Sequence, residues 1–149
     1  MRCNCGVNPK YLTDQWLIAE QVELLMIPGM LKKNKNVIKT KIPDKFKLGT
    51  GHMVFWCHKL KYLKKRHKAV KAEVKRRGFK AAEREIELDD FPKCFHNDWK
   101  PSKEDTDILR ERLIWKIEQK PNQWRYMSKS ISDVDDLKNK IINGEVYKV

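Results

Sequence analysis

The sequence predicts an all-α protein with a single compact domain of three principal helices joined by long loops. Three segments carry apolar residues at the three- and four-residue intervals of an α-helix, and no segment alternates convincingly as a half-buried strand does. A hydrophobic content of 40% with five tryptophans in 149 residues is enough to form a core. We therefore expect one domain over residues 1–149, with a short C-terminal extension at about 132–149 that could add a short helix.

The first helix is predicted from Leu12 or Thr13 to near Ile27, where Pro28 and Gly29 interrupt it. Its core-facing side is expected to consist of five apolar residues, namely Leu17, Ile18, Val22, Leu24 and Leu25. The lysine-rich segment that follows contains two Asn-Lys steps and a proline, so it is expected to be mostly loop.

One acidic residue of this helix occupies an unusual position. Trp16, Ala19, Glu23 and Met26 fall on one stripe at helical spacing, which places a single carboxylate among apolar side chains. Glu23 can be an edge-of-core glutamate whose carboxylate reaches water or an arginine. Alternatively it is a catalytic acid or base whose protonation is tuned by its apolar neighbours.

The second helix is predicted to be the longest. It begins near Thr50 and Gly51 and ends at Gly78, a residue type that commonly follows the last helical turn. Its buried face is predicted to carry Met53, Trp56, Leu60, Leu63, His67, Val70 and Val74. We interpret His67 as a core histidine with its hydrogen bonds satisfied.

The third helix is predicted to follow Pro101, with Ser102 as N-cap and Asp105 at the capping-box position. It is expected to end before Pro121. Its apolar positions are Ile108, Leu109, Leu113 and Ile117. The acidic stretch 80–100 between the second and third helices is expected to be an ordered, irregular loop.

Positive charge is concentrated in one third of the chain. The net charge is +13, and residues 31–77 contain seventeen Lys and Arg but only two acids, Asp44 and Glu73. Such a block favours a polyanionic partner, first nucleic acid and second an anionic membrane surface. A solvated lysine face without a partner is the remaining alternative.

The cysteines indicate no metal or disulfide framework. Cys3, Cys5, Cys57 and Cys94 match neither the usual zinc spacing nor a set of disulfides, so we expect reduced thiols and no metal. No apolar run approaches transmembrane length and no signal-peptide pattern is present. The sequence therefore predicts a cytoplasmic protein without a membrane partner.

Few residues offer chemistry, because no phosphate-binding loop, zinc-protease motif or nucleophile elbow appears. The candidates are Glu23, His52 at the start of the second helix, the N-terminus and an aromatic-basic tail. In the tail, Trp124 and Tyr126 flank Arg125 and could stack on nucleic-acid bases, or they could anchor the tail to the core.

Three stretches of the sequence resemble the pyrimidine-dimer DNA glycosylase family, the phage-type enzymes also called endonuclease V. They are "LTDQWLIAEQVEL", "LGTGHMVFWCHKLKYLKKRHKAVKAEVKRRGF", and "RLIWKIEQKP" followed by the aromatic-basic tail. The resemblance extends from Leu12 to about Ile131. It implies a compact all-α protein that binds double-stranded DNA, kinks it and flips out a base opposite the damage.

The resemblance also implies a mechanism without a cofactor. In this family the N-terminal α-amine attacks the sugar C1′, a Schiff base forms after the base departs, and β-elimination cuts the strand. The helix-1 glutamate of the family, which assists, matches Glu23. The initiator methionine is expected to be retained because Arg2 is bulky, so the matching amine is that of Met1. Such an enzyme is expected to act as a monomer in the cytoplasm of a bacterial cell or phage-infected host.

Several family positions are retained and others are changed. The residues that match family or basic DNA-binding positions are Arg2, Gln15, His52, Arg112, Lys116, Trp124, Arg125 and Tyr126. Trp16 replaces a family histidine, and Val22 and Met26 replace two arginines that hold DNA phosphates at the lesion. We predict that Trp16, Val22 and Met26 form a pocket beside Glu23, and that the loss of these arginines alters dimer recognition.

Three functions follow from these patterns. The first is a DNA glycosylase with AP-lyase activity on pyrimidine dimers or a related lesion. The second is an altered family member that binds DNA, or a nucleotide-like ligand in the Trp16–Met26 pocket, without cleaving dimers. The third is a basic structural nucleic-acid binder, whose affinity would depend on salt and not on Glu23.

Overall fold

The computed structural model describes residues 2–34 and 41–149 and confirms a mainly α-helical single domain. The described part of the chain contains six α-helices and one two-stranded sheet. The helices are α1 (Asp14–Glu23), α2 (Met26–Lys33), α3 (His52–Trp56), α4 (Leu60–Arg76), α5 (Lys103–Gln119) and α6 (Val134–Asn143). The strands are β1 (Arg125–Tyr126) and β2 (Lys129–Ser130), which pair antiparallel.

The first predicted helix is two helices. Thr13 caps α1 by accepting a hydrogen bond from the Trp16 backbone N–H, and α1 ends at Glu23. The expected end near Ile27 is wrong, because Pro28 lies in the first turn of α2. A proline there removes a backbone N–H that has no partner within the helix, so Pro28 is compatible with α2.

The predicted core-facing side of α1 is partly wrong. Leu17 and Leu24 are fully buried, but Ile18 and Val22 are 39% and 57% exposed. Polar residues occupy the buried side instead, since Glu20 is fully buried and Gln21 nearly so. The helix is therefore rotated from the orientation that an apolar count predicts.

A buried ion pair explains this orientation. The Arg66 guanidinium donates to both carboxylate oxygens of Glu20, with Nε 2.8 Å from Oε1 and Nη2 3.1 Å from Oε2, and both side chains are fully buried. Asn4 donates to the same carboxylate from its backbone and side chain, and Arg66 Nη1 donates to the Val7 carbonyl. Burial by itself lowers the pKa of Arg66, but the attraction of Glu20 outweighs it and raises that pKa.

A second buried network holds the other end of α1. Arg77 donates to Asp14 at 2.9 Å and to Glu73 at 2.7 Å, and also to three backbone carbonyls of the segment before α1. Asp14 in turn accepts the backbone N–H groups of Met127 and Ser128. Both residues have positive φ, 50° and 66°, at the turn between β1 and β2. The Asp14 carboxylate thus holds this hairpin, which the sequence did not predict, in a strained turn.

The second predicted helix is also divided. It forms α3 and α4, separated by residues 57–59. The predicted face is nevertheless correct, because six of its seven residues are buried and Met53 is partly buried. His67 is the satisfied core histidine that was predicted, since its Nε2 lies 2.9 Å from the Gln21 carbonyl oxygen.

The acidic segment after α4 lies along lysines of the preceding helices. Its two short 3₁₀ helices are Leu88–Asp90 and Lys93–Phe95. Four of its acids pair with lysines, in the pairs Glu85–Lys71, Glu87–Lys64, Asp90–Lys32 and Asp98–Lys65. Part of the basic block is therefore neutralised within the molecule.

The third predicted helix is α5, and its predicted start is confirmed. Ser102 accepts from the Asp105 backbone N–H, and the Asp105 side chain accepts from the Ser102 backbone N–H, which completes the capping box. The short C-terminal helix is α6, with Asp133 as its N-cap. Beyond it, Tyr147 pairs with Gly6, so the last residues return to the N-terminal segment.

Replacing Arg66 with methionine should strongly destabilise the protein. The Glu20 carboxylate would stay buried without its counterion, which costs about 3–5 kcal/mol in comparable cases. Urea unfolding followed by circular dichroism measures the free energy of unfolding. Lys68→Met, at an exposed position of the same helix, is the matched control and should change it by less than about 0.5 kcal/mol. Equal stability of the two variants would contradict the role assigned to this pair.

Candidate nucleic-acid site

Glu23 is the last residue of α1, and its carboxylate forms an ion pair with the Arg2 guanidinium. The two side chains are 25% and 41% exposed, so the pair lies at the protein surface but is partly shielded from water. Contact with an arginine is the first of the two interpretations of Glu23, and the second, a catalytic acid or base, stays a prediction. Met1, the predicted nucleophile, lies outside the described residues.

Beside this ion pair, α1, α3 and α5 meet around a small depression of about 40 Å³. Five of the residues that the sequence singled out line it, namely Arg2, Trp16, His52, Arg112 and Lys116. Arg112 and Lys116 are one helical turn apart on α5, so both project towards Arg2. The structure thus assembles side chains that are more than a hundred positions apart in the sequence.

The depression is cationic. Burial lowers the pKa of the Lys116 ammonium, the neighbouring Arg112 and Arg2 guanidinium groups lower it further, and Glu23 opposes them. Arg2, Arg112 and Lys116 thus place three cations at the depression, with the Glu23 carboxylate at its edge. This excess of positive charge is suited to an anionic group such as a phosphate.

His52 supports the depression from within the fold. It is 8% exposed; its Nδ1 lies 2.8 Å from the Lys47 carbonyl oxygen, and its Nε2 accepts from Trp56 Nε1 at 3.3 Å. This pattern assigns the proton to Nδ1 and makes the ring neutral. Burial lowers the pKa of His52, the hydrogen bond to Lys47 opposes the shift, and Arg112 adds to it.

A larger depression of about 400 Å³ adjoins the small one and shares Arg2, Trp16 and Lys116 with it. We call it the tryptophan groove, because its aromatic and basic lining consists of Trp16, Trp115, Trp124, Arg2, Lys116 and Lys120. Gln15, Gln119 and Gln123 complete it. Aromatic faces, amide groups and cations together can hold a ligand that is planar, polar and anionic, as a nucleotide is.

Gln15 and Trp124 shape this groove. The Trp16 and Trp124 rings lie 4.6 Å apart at an angle of 50°. The Gln15 side chain donates to the Gln123 carbonyl oxygen at 2.6 Å and accepts from the Arg125 backbone N–H at 3.2 Å. Trp124 therefore packs on the core, and Gln15 fixes the tail against α1.

The remaining predicted residues lie elsewhere. Val22 and Met26 line a different, open groove together with residues 80–84, so the structure does not bring them into one pocket with Trp16. The side chain of Tyr126 lies over Arg77, with the guanidinium carbon 4.2 Å from the ring centroid. Only the backbone of Arg125 contacts the groove, through Gln15, while its side chain is exposed.

Sequence reasoning missed the outer wall of the groove. Trp115 is 58% exposed, which is unusual for a tryptophan, and it was not singled out. Helical spacing in the sequence already places Trp115 among basic and amide residues, because Arg112, Trp115, Lys116 and Gln119 share one face of α5. A basic face that also carries a tryptophan would have identified these residues.

Other classes of site find little support in the described residues. Residues 2–34 and 41–149 contain no group of three or more potential metal ligands, and none of their helices has the length and apolar character of a membrane span. The four cysteines are free thiols, of which Cys94 is exposed.

The fold and the site together define a basic helical protein with tryptophan, glutamine and cationic side chains around two depressions beside a paired carboxylate. A family model described as pyrimidine dimer DNA glycosylase matches residues 3–86. This match covers more than half of the chain, and the chain belongs to that family. The family gives it a DNA-repair glycosylase role and a DNA substrate. The matched residues include Glu23 and His52, whereas α5 and the tail lie beyond them.

The neutral state of His52 should make stability depend on pH. Because burial lowers its pKa in the folded protein, the unfolded chain binds the proton more readily. The free energy of unfolding should therefore fall as the pH decreases below about 6.5, the ordinary histidine pKa. Urea unfolding between about pH 7.5 and about 5.5 should show a smaller decrease in the free energy of unfolding for His52→Gln than for the parent protein.

His67 provides a comparison within the same experiment. Burial also lowers its pKa, so His67→Gln should reduce the pH dependence independently, and the double variant should reduce it most. A pH dependence that is identical in all four proteins would contradict the assignment of neutral, buried rings.

Proposed function

We propose that the protein is a DNA glycosylase with AP-lyase activity on damaged duplex DNA, with a pyrimidine dimer or a related lesion as substrate. Membership of the pyrimidine dimer DNA glycosylase family supports the glycosylase part. The observation that carries the site assignment is the ion pair of Glu23 and Arg2 at a cationic depression. In this proposal Glu23 and the Met1 α-amine are the catalytic groups.

The proposed reaction begins at the sugar of the damaged nucleotide. The amine nitrogen attacks C1′ while the bond from C1′ to the base breaks and the base leaves with the bonding electrons. Ring opening then gives a Schiff base between C1′ and the amine. Loss of a proton from C2′ expels the 3′ phosphate by β-elimination, which cuts the strand. Glu23 stabilises the positive charge that develops on the sugar and later transfers protons.

An α-amine suits this role better than a lysine. Its ordinary pKa is about 7.7–8.0, against about 10.4 for a lysine side chain, so much more of it is neutral and nucleophilic near pH 7. Arg2, the first residue that the structure describes, contacts Glu23 through its side chain.

The proposed DNA contacts come from α5 and the tryptophan groove. Arg112 and Lys116, which match basic positions of the family, would bind phosphates next to the lesion. The exposed face of Trp115 can stack on a base that has left the helix, which offsets part of the cost of extrusion. His52 acts as a positioning residue for the depression.

One observation favours a second candidate function. The Glu23 carboxylate is engaged by Arg2, so a protein in which this pair persists on DNA would bind a lesion without cleaving it. In the glycosylase proposal, by contrast, Arg2 turns to a DNA phosphate and releases the carboxylate. The predicted monomeric state and cytoplasmic location stay predictions.

Borohydride trapping distinguishes these two functions. The protein would be incubated with duplexes that carry a thymine dimer, an abasic site or no lesion, and then reduced with borohydride. A covalent adduct that maps to the Met1 amine is expected on at least one damaged duplex. Glu23→Gln should lower the rate of strand cleavage by about 10²–10⁴-fold, the usual contribution of a general acid–base residue.

Glu118→Gln is the matched control, since this exposed acid also lies near the C-terminal end of its helix and should leave cleavage unchanged. Tight binding of damaged DNA with no adduct on any duplex would reject the enzyme and support the binding function. An adduct that survives acetylation of the N-terminus would reject Met1 as the nucleophile.

The salt dependence of DNA binding should locate the phosphate contacts. Arg112→Ala and Lys116→Ala should each lower the slope of log K against log salt concentration by about 0.9, the value for one lost phosphate contact. Lys65→Ala removes the same charge from α4, but Lys65 is already paired with Asp98 at 2.6 Å. The salt slope of DNA binding should therefore change much less for Lys65→Ala than for the two α5 variants. Equal changes in all three variants would indicate a non-specific basic binder.

A further inference from the structure

A cleft of about 490 Å³ lies on the surface next to the hairpin, away from Glu23. The 3₁₀ helix Pro9–Tyr11, the hairpin and α6 form its walls. Its aromatic and charged lining consists of Lys10, Tyr11, Tyr126, Lys129, Asp133, Asp136 and Lys140. We call it the α6 cleft. The hairpin and α6 lie outside the residues that the family model matches.

The chemistry of the α6 cleft suits a nucleic-acid strand. Two tyrosine rings can support a base or sugar, and lysine ammonium groups can bind a phosphate. Asp136 is paired with Lys140, and Asp133 accepts the Asp136 backbone N–H as the N-cap of α6. Lys10 on the 3₁₀ helix and Lys129 on the hairpin are both exposed, so the three lysines of the lining exceed its two acids by one positive charge. The Lys10 ammonium lies 5.0 Å from the Tyr11 ring centroid.

The position of the cleft follows from α1. Asp14 begins this helix and holds the hairpin turn, whereas Glu23 ends it. Ten helical residues span about 14 Å at a rise of 1.5 Å per residue. A DNA strand that runs along α1 would cover this length with about four nucleotides, since successive nucleotides of one strand are about 3.4 Å apart along the duplex axis.

Exposed cations lie between the Glu23 site and the α6 cleft. Lys120 lines the tryptophan groove, and the exposed Arg125 side chain follows it on β1, next to the α6 cleft. A strand that leaves the Glu23 site along the groove would therefore pass Lys120 and Arg125 before it reaches Lys129.

We propose that the α6 cleft binds the DNA strand that flanks the lesion, about four nucleotides from the site of chemistry. Lys10 and Lys129 contact its phosphates, and Tyr11 and Tyr126 support its sugars or bases. The C-terminal helix thus extends the DNA footprint of this chain. This inference rests on the proposed function only in taking DNA as the ligand, because it requires no cleavage.

Binding to duplexes of different length tests the proposal. Both duplexes carry a central tetrahydrofuran analogue of an abasic site, which the enzyme cannot process. One has at least ten base pairs on each side, which is about one helical turn. The other has about three, too few to reach the α6 cleft, and its ends are closed by uncharged ethylene-glycol linkers that carry no base. The variant combines Lys10→Ala and Lys129→Ala, and fluorescence anisotropy is recorded over a range of salt concentrations.

On the long duplex, the variant should bind at least about tenfold more weakly, and its salt slope should fall by about 1.8, for two lost phosphates. On the short duplex its affinity should equal that of the parent protein. Lys100→Ala combined with Lys148→Ala removes the same charge at exposed positions outside the cleft lining and should leave both affinities within about twofold.

Three results would overturn the proposal: an unchanged affinity of the variant for the long duplex, an equal loss on both duplexes, or an equal effect of the control variant. The experiment is independent of catalysis. If binding depends on duplex length but the separate trapping experiment gives no borohydride adduct, the glycosylase proposal is rejected and this one is kept. If an adduct forms but binding does not depend on duplex length, this proposal is rejected and the glycosylase proposal is kept.

Discussion

The buried pair of Glu20 and Arg66 determines where the N-terminal segment lies. Its carboxylate holds Asn4 and its guanidinium holds the Val7 carbonyl, so residues 4–7 are fixed between α1 and α4. Glu23 lies three residues after Glu20, on the same side of α1, and Arg2 lies two residues before Asn4. The fixed segment therefore delivers Arg2 to Glu23. Such pairs contribute little net stability compared with apolar residues, and we interpret this one as specifying a unique arrangement.

Two buried arginines hold the two ends of α1, and each end positions a different part of the surface. At its C-terminal end, the Arg66 network presents Glu23 and Arg2 to the cations of α5. At its N-terminal end, Arg77 and Asp14 hold the hairpin and the tail. The tryptophan groove lies between these two networks, and its walls come from α1, α5 and the residues after α5. A rigid α1 can therefore keep the groove and both of its ends in register.

Net charge alone gives a misleading picture of the binding surface. The basic block of residues 31–77 favoured a polyanionic partner, but the acidic segment pairs with Lys64, Lys65 and Lys71 within that block. The cations around Glu23 come from Arg2 and α5 instead. Paired surface charges are screened and contribute weakly at a distance, whereas cations around a depression act together on one ligand.

The sequence by itself determined the features that depend on local spacing. The capping box of α5, the buried face of α4, the satisfied His67 and the family could all be predicted, because the residues responsible lie within a few turns or one motif. Tertiary structure alone decided which glutamate of α1 is buried. Glu20 and Glu23 share one side of the helix, and the choice depends on Arg66, which is 46 positions away in the chain. For the same reason, the separation of Val22 and Met26 from Trp16 could not be predicted: helical spacing gives the angle around one axis, but only packing determines what each face meets.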